Sequence, residues 1–322
     1  MSPDLPPALK VALDQKTEGL SRNDAAQRSA AISHTYRSGG GSGAIRTETD
    51  ALTYALARMP ATYAAVAACL TALAEARRDF TPESLLDIGA GPGTATWAAA
   101  EAFTSLQKFA LVDANAVLHD LAIELTQSSP RLSTVRYEQG DARKRAHEQP
   151  SADLVVASYM INELNDAERA ALTDVMWSKT RDTLLIVEPG TPAGYARIID
   201  IRAHLIGQGA HVIAPCPHDA TCPLVAPDWC HFSQRLSRSR THKHLKGAEL
   251  PYEDERFSYV VLSRSPLSQR PSRVLAEPQV TKIAVTAKLC TADGLDIANI
   301  PHRNKEPYKQ AKRWRWGDAV PR

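Results

Sequence analysis

The sequence predicts an α/β protein: a mostly parallel sheet covered on both faces by helices, with a helical region before it. Three observations predict this. From Glu83 onward, short apolar runs alternate with helical ones, the pattern of strand–helix–strand units. A glycine-rich turn, DIGAGPG, follows the first of these apolar runs. The 322 residues are 43% hydrophobic and 23% charged, as in ordinary globular proteins, which excludes a collagen-like or wholly disordered chain.

Residues 1–80 read as helical, and the Ala-rich stretch 50–77 carries apolar residues at helical spacing with an interruption expected near Pro60. The glycine run SGGGSG before it, Ser38 to Gly43, reads as a flexible loop or as a gate over a ligand. Strands are expected at 84–88, 109–113, 134–138, 154–158 and 183–188, with helices at 94–103, 116–127 and 166–179 among them. Two later strands, at 257–263 and 282–288, are expected to complete the same sheet. Residues 207–250 lack a helix or strand period and hold three cysteines, four prolines and five of the ten histidines. They read as an insertion organised by something other than an apolar core. The chain thus divides into a helical region (1–80), an α/β core (81–206), a Cys/His-rich insertion with a basic arm (207–250) and a closing segment (251–322).

The strongest local motif is LLDIGAGPGTATWAA, where Asp87 ends a buried strand and Gly89, Gly91 and Gly93 follow at alternate positions before a helix. Glycines there let the backbone approach a ligand, and the helix start offers free amides. The spacing differs from the G-x-G-x-x-G that holds a pyrophosphate. It resembles motif I of class I S-adenosylmethionine-dependent methyltransferases, a Rossmann-like fold. In register with it, Asp113 ends the second strand, where that superfamily places the acid that accepts from the ribose hydroxyls. Asp141 follows the third strand, where such proteins contact the adenine. After the fourth strand stands ASYMINEL, which lacks the Asn/Asp-Pro-Pro-aromatic motif of amino-methylating nucleic-acid enzymes. Ser158, Tyr159, Asn162 and Glu163 are the catalytic candidates, each equally readable as a loop or cap residue.

Cys216, Cys222 and Cys230 fall in APCPHDATCPLVAPDWCHF, and Cys290 lies 60 residues later in LCTADG. Cys69 sits in an apolar helix and reads as a buried small hydrophobe. The other four suffice for an all-cysteine metal site. Structural zinc knuckles are usually closer-spaced. Wide gaps suit an iron–sulfur cluster, while His218 and His231 keep a mixed Cys/His zinc site open.

The chain as a whole resembles the methyltransferase-like protein 17 family of mitochondrial small-ribosomal-subunit assembly factors and their bacterial relatives. The resemblance is carried by ARMPATYAA, LLDIGAGPGT, SYMINEL, IVEPGTPAGY, PCPHDATCPL…DWCHFSQR, LCTADG and RWRWGD. It implies that Cys216, Cys222, Cys230 and Cys290 hold a 4Fe–4S cluster. It also implies that the partner is the small ribosomal subunit and its rRNA, with methyl transfer unsettled.

Net charge is +2, but residues 1–230 carry a net −7 and residues 231–322 a net +9. A basic final third suits a polyanionic partner. Two stretches carry it: the arm with Arg235, Arg238, Arg240, Lys243 and Lys246, and the tail YKQAKRWRWGD, where Arg313 and Arg315 alternate with Trp314 and Trp316. The longest uncharged apolar stretch, residues 59–74, is 16 residues with Pro60 inside, so no membrane span is expected. The first residues have neither a secretory nor a transit pattern, which gives a bacterial cytoplasmic protein, monomeric when free, as the expectation. Two functions remain open: an rRNA methyltransferase, or a non-catalytic assembly factor that keeps the methyltransferase fold, with or without its cofactor.

Overall fold

The structure, a computed structural model, describes residues 1–37 and 40–321; Ser38 and Gly39 of the glycine run lie outside the described residues. Helices α1 (Pro7–Lys16) and α2 (Arg22–Arg37) precede the long α3 (Glu48–Ala76). A capping box starts α3: Asp50 N donates to Thr47 Oγ1 (3.1 Å), and Thr47 N donates to Asp50 Oδ2 (3.0 Å). The interruption expected near Pro60 does not occur, and α3 runs unbroken through it. Proline removes one helix hydrogen bond, but nearly every residue around it is packed, Met59 and Ala61 included. Continuity also corrects the expectation about spans. At 29 residues α3 is long and apolar enough to cross a bilayer, yet 72% of its most apolar window is buried inside the protein. It is a core helix.

The strand–helix alternation is as expected: β1 (Ser84–Ile88), α4 (Thr94–Ala102), β2 (Lys108–Asp113), α5 (Ala116–Thr126), β3 (Arg136–Gln139), α6 (Ala142–Glu148), β4 (Ala152–Ser158), α7 (Asp166–Lys179), β5 (Thr180–Pro189) and α8 (Pro192–Gly207). Then come β6 (His211–Ala214), β7 (Phe232–Ser237), α9 (Arg240–Leu245) and β8 (Tyr252–Ser263). The main sheet has eight strands in the order β3-β2-β1-β4-β5-β8-β6, with β7 paired to β8. Strands β1 to β5 run parallel, and β8 is antiparallel to β5, β6 and β7. Alternate side chains feed two cores. Leu85, Leu154 and Val156 pack with α3, α4 and α5, whereas Leu86, Val155 and Ala157 pack with α7 and α8. Strand order reverses between β1 and β4, and in such sheets the crevice outside the strand ends at that point receives ligands.

Two further expectations need correction. The strand expected at 282–288 does not extend this sheet. It becomes β11 (Ala284–Thr291) of a separate five-stranded sheet with β9 (Ser272–Val274), β10 (Gln279–Val280), β12 (Gly294–Pro301) and β13 (Ala319–Val320), against which α10 (Lys305–Ala311) packs. Its alternating burial is that of a strand with one covered face, and the edge beyond β8 is already taken by β6. Segment 207–250 is likewise more regular than its sequence suggests. It supplies β6, the far strand of the main sheet, and β7. Four-residue β6 is too short for any period to register.

Candidate cofactor cavity and cysteine site

The glycine loop bends back at the C-terminal end of β1. Gly89, Gly91 and Gly93 all have positive φ (71°, 53° and 79°), a conformation that side chains with a Cβ resist. Asp87 is fully buried; its Oδ2 accepts from Thr96 N (3.1 Å) and Thr96 Oγ1 (2.8 Å), which ties the first turn of α4 to β1. Burial pushes its carboxyl up to about 7, against the hydrogen bonds from Thr96. Asp113 accepts from Gly91 N (2.9 Å) and Asn115 N (2.8 Å), so one carboxylate fixes the loop's middle glycine. Burial raises its pKa and these amides partly offset that. Tyr137 Oη donates to Gly91 O (2.6 Å) from the other side.

Together these elements enclose a cavity of about 380 Å³ at the reversal point of the sheet. Of the sequence-predicted residues, Gly89, Gly91, Asp113, Asp141, Ser158, Tyr159 and Glu163 line it. Asp87, Gly93 and Asn162 do not: the first anchors α4 and the second is its N-cap. Asp141 caps α6 and pairs with Arg143 (2.6 Å), whose hydrogen bond lowers its pKa, and Arg143 also pairs with Glu168. The loop after β4 is tightly committed. Tyr159, the only described non-glycine residue with positive φ (56°), donates its hydroxyl to Glu255 (3.0 Å). Glu163 accepts from Ser42 N (3.3 Å).

That last bond gives the glycine run a place. Asn115 Nδ2 donates to Ser42 O (2.9 Å) and Ile45 O (3.0 Å), which holds the turn at 42–45 over the cavity mouth. A Cβ on Gly41 would meet the Glu163 carboxylate, so a side chain there would push Glu163 aside and disturb its bond to Ser42. Tyr36 and Tyr54, stacked with ring centroids 5.8 Å apart, line the same cavity with Met59 and Thr62. These N-terminal residues were missed by sequence reasoning, because helical periodicity marks them only as core. An acceptor carboxylate at each of two strand ends, a backbone loop and aromatic walls suit a nucleoside carrying a polar tail.

The second site forms where α8, the 215–230 segment, β8, β9 and β11 meet. Cys216, Cys222, Cys230 and Cys290 line one small cavity with Tyr195, Arg202, Pro215, Leu224, Tyr259, Arg273 and Leu275. Tyr195 Oη lies 3.2 Å from Cys222 Sγ, and His218 Nε2 lies 3.6 Å from Cys290 Sγ. His231 stands outside, stacked on Trp229 and edge-on to Trp316. Cys69 is buried in α3, as expected. Burial raises the thiol pKa of Cys216 and Cys230, and pushes Cys290 to about 12. Among the described residues, no three His, Cys, Asp or Glu side chains are gathered closely enough to hold a single metal ion. The donor chemistry nonetheless fits an anionic four-thiolate centre. The cavity wall holds two buried arginines, and Arg202 Nε has no hydrogen-bond partner among the described residues.

The predicted RNA-binding residues separate into two groups. Arg235 pairs with Asp254 (2.7 Å), Arg238 with Glu253 (3.2 Å) and Lys246 with Glu253 (2.5 Å), so these three face carboxylates of β8. Arg240, Lys243, Arg313 and Arg315 make no ion pair among the described residues; Arg303, Lys305, Lys309 and Lys312, on and beside α10, are likewise exposed and unpaired.

Comparison with known proteins adds the following. The family described as mitochondrial small ribosomal subunit Rsm22 matches residues 48–321. The human mitochondrial ribosome assembly protein METTL17 is 28% identical over 297 residues, covering 85% of this chain and 63% of that protein. The Rsm22-cox11 tandem protein 2 of Schizosaccharomyces pombe, also mitochondrial, is 25% identical over 340 residues, covering 86% of this chain and 44% of that one. The chain thus spans about half to two-thirds of the length of these relatives. Among solved structures, an O-methyltransferase family protein from Burkholderia thailandensis superposes with a TM-score of 0.44 at 14% identity, covering 68% of this chain and 60% of the other. Magnesium protoporphyrin IX methyltransferase from Synechocystis PCC 6803 gives 0.42 at 12% identity, covering 73% and 95%.

Proposed function

The chain belongs to the Rsm22 family, and from that premise we propose that it binds S-adenosylmethionine, carries a 4Fe–4S cluster and acts on the small ribosomal subunit by binding its rRNA during assembly. The observation that carries the cofactor reading is that Gly89, Gly91, Asp113 and Asp141, spread over 53 positions, line one cavity at the ends of adjacent strands. Asp113 would accept from the ribose and Asp141 would face the base, with the glycine loop and the α4 amides toward the amino-acid end. The cofactor supplies an activated methyl group when bound. The chain's own residues position it: Asp113 holds Gly91, Asn115 holds the 42–45 turn and Met160 packs under Gly89.

A binding role is favoured over methyl transfer by the state of the loop after β4. Tyr159 spends its hydroxyl on Glu255, Glu163 accepts from Ser42, and Asn162 is outside the cavity. Of that loop's polar candidates only Ser158, Tyr159 and Glu163 face the cavity, and they come without the Asn/Asp-Pro-Pro-aromatic motif that grips a target amine. The cluster reading rests on four cysteines around one cavity with two buried cations. For the RNA surface, the unpaired cations of α10 and the tail are better placed than Arg235, Arg238 and Lys246. Arg240 and Lys243 could extend it.

Two measurements test the reading. Purified protein should bind labelled S-adenosylmethionine, and Asp113→Ala should lose that binding; equal binding by the variant would refute the cofactor site. Tritium from the methyl group should not enter immature small subunits. Stoichiometric incorporation would replace the binding role with an enzymatic one.

A further inference from the structure

Arg202 on α8 and Arg273 on β9 are 2% and 5% exposed, and both line the four-cysteine cavity. Each spends part of its guanidinium on backbone carbonyls. Arg202 Nη2 donates to His218 O (2.7 Å) and Ala220 O (2.9 Å). Arg273 donates through Nε to Pro215 O (3.1 Å) and through Nη1 to Gly317 O (2.8 Å). Neither has a carboxylate partner among the described residues, and Arg202 Nε has no acceptor at all. Arginine stays charged in proteins, and a buried charge needs a counter-charge. Arg270, three residues before Arg273 and somewhat more exposed, has one: Asp219 takes both its terminal nitrogens at 2.8 Å.

The cavity the two arginines share offers sulfur instead. Arg273 lies directly across the β9–β11 ladder from Cys290, and both arginines share the cavity wall with Cys216. Four thiolates around a metal–sulfide core of charge +2 leave a net charge of −2, which two guanidiniums cancel. We infer that Arg202 and Arg273 are the counter-cations of the metal centre, tuning how readily it accepts an electron and how firmly it is retained. This rests on the cluster reading above. Charge and hydrogen bonds near a cluster are general determinants of its potential.

The test uses the full chain purified anaerobically with its cluster, comparing wild type with Arg202→Gln, Arg273→Gln, Arg202→Lys and Arg270→Gln. The readouts are the midpoint potential by redox titration, and iron and sulfide retained under chelator challenge. Loss of a cation beside the cluster disfavours the more negative, reduced form. Arg202→Gln and Arg273→Gln should therefore lower the potential and release iron several-fold faster. Arg202→Lys should stay closer to wild type in potential, and Arg270→Gln should match it. Unchanged potentials in both loaded glutamine variants overturn the inference alone. If Arg202→Gln cannot hold a cluster, retention by Arg202→Lys at a near-wild-type potential supports the charge role, and equal failure of both overturns it. Wild type without iron and sulfide overturns the cluster reading, and this inference with it.

Discussion

At Gly89 the backbone holds φ at 71°, and a Cβ would stand 2.5 Å from Met160 Cγ. Gly89→Ala should therefore destabilise the protein by about 2–4 kcal/mol, from left-handed strain plus overpacking. Adding Met160→Ala should recover only a fraction of that loss, as read by denaturant unfolding, because the Cβ that alanine keeps would still stand 2.6 Å away. Asp87 gives a pH prediction. Its folded pKa, about 7, exceeds the ordinary 3.8 because the carboxylate is buried. The folded state then holds a proton that the unfolded state has released, so stability falls as pH rises between about 4 and 7, by up to about 1.4 kcal/mol per unit. Asp87→Asn keeps an acceptor for Thr96 and removes the titration. Its melting temperature should gain on wild type as pH goes from 5 to 8, and a constant difference would contradict the assignment. Asp87 and the three glycines could be read from the motif. Tyr36, Tyr54 and Met160 could not, because nothing local distinguishes a cavity wall from a packed core.

Between elements, Glu253 on β8 collects Arg238 from just after β7, His242 from α9 and Lys246 from the end of α9. Burial alone would raise its pKa, but hydrogen bonds from His242 and Lys246 hold it well below the usual carboxylate range. Glu253→Gln leaves Arg238 and Lys246 without their carboxylate and should cost roughly 2–4 kcal/mol, seen as a lower urea midpoint. The same pairing changes what neutralisation does to RNA affinity. Replacing Arg235 and Arg238 should leave the salt dependence of RNA binding nearly unchanged. Replacing Lys309, Lys312, Arg313 and Arg315 should flatten it by about one unit of slope per lost phosphate contact. The reverse pattern would put the RNA surface back on the β7–α9 arm. Sequence shows that segment as an uninterrupted basic run, since its carboxylate partners lie on another strand.

At the scale of the whole molecule, three cysteines come from the segment joining β6 to β7 in the main sheet, and the fourth from β11 in the second sheet. A metal centre there, as proposed above, would join the two sheets. Cys222→Ser, or removal of the metal, should raise amide exchange across residues 215–231 and β9 to β13 while β1, β4 and β5 stay protected. Uniform loosening would mean that the centre is not a local staple. By itself the sequence determined the parallel core, the glycine loop with its two acidic companions, and the four cysteines set apart from Cys69. These are periodic or short-range patterns, written where strands and turns are made. Only the tertiary structure decided that α3 runs through Pro60, that β11 starts a second sheet, that the 42–45 turn roofs the cavity and which cations already have partners. Each of those depends on contacts between residues distant along the chain, where packing and charge pairing outweigh local preference.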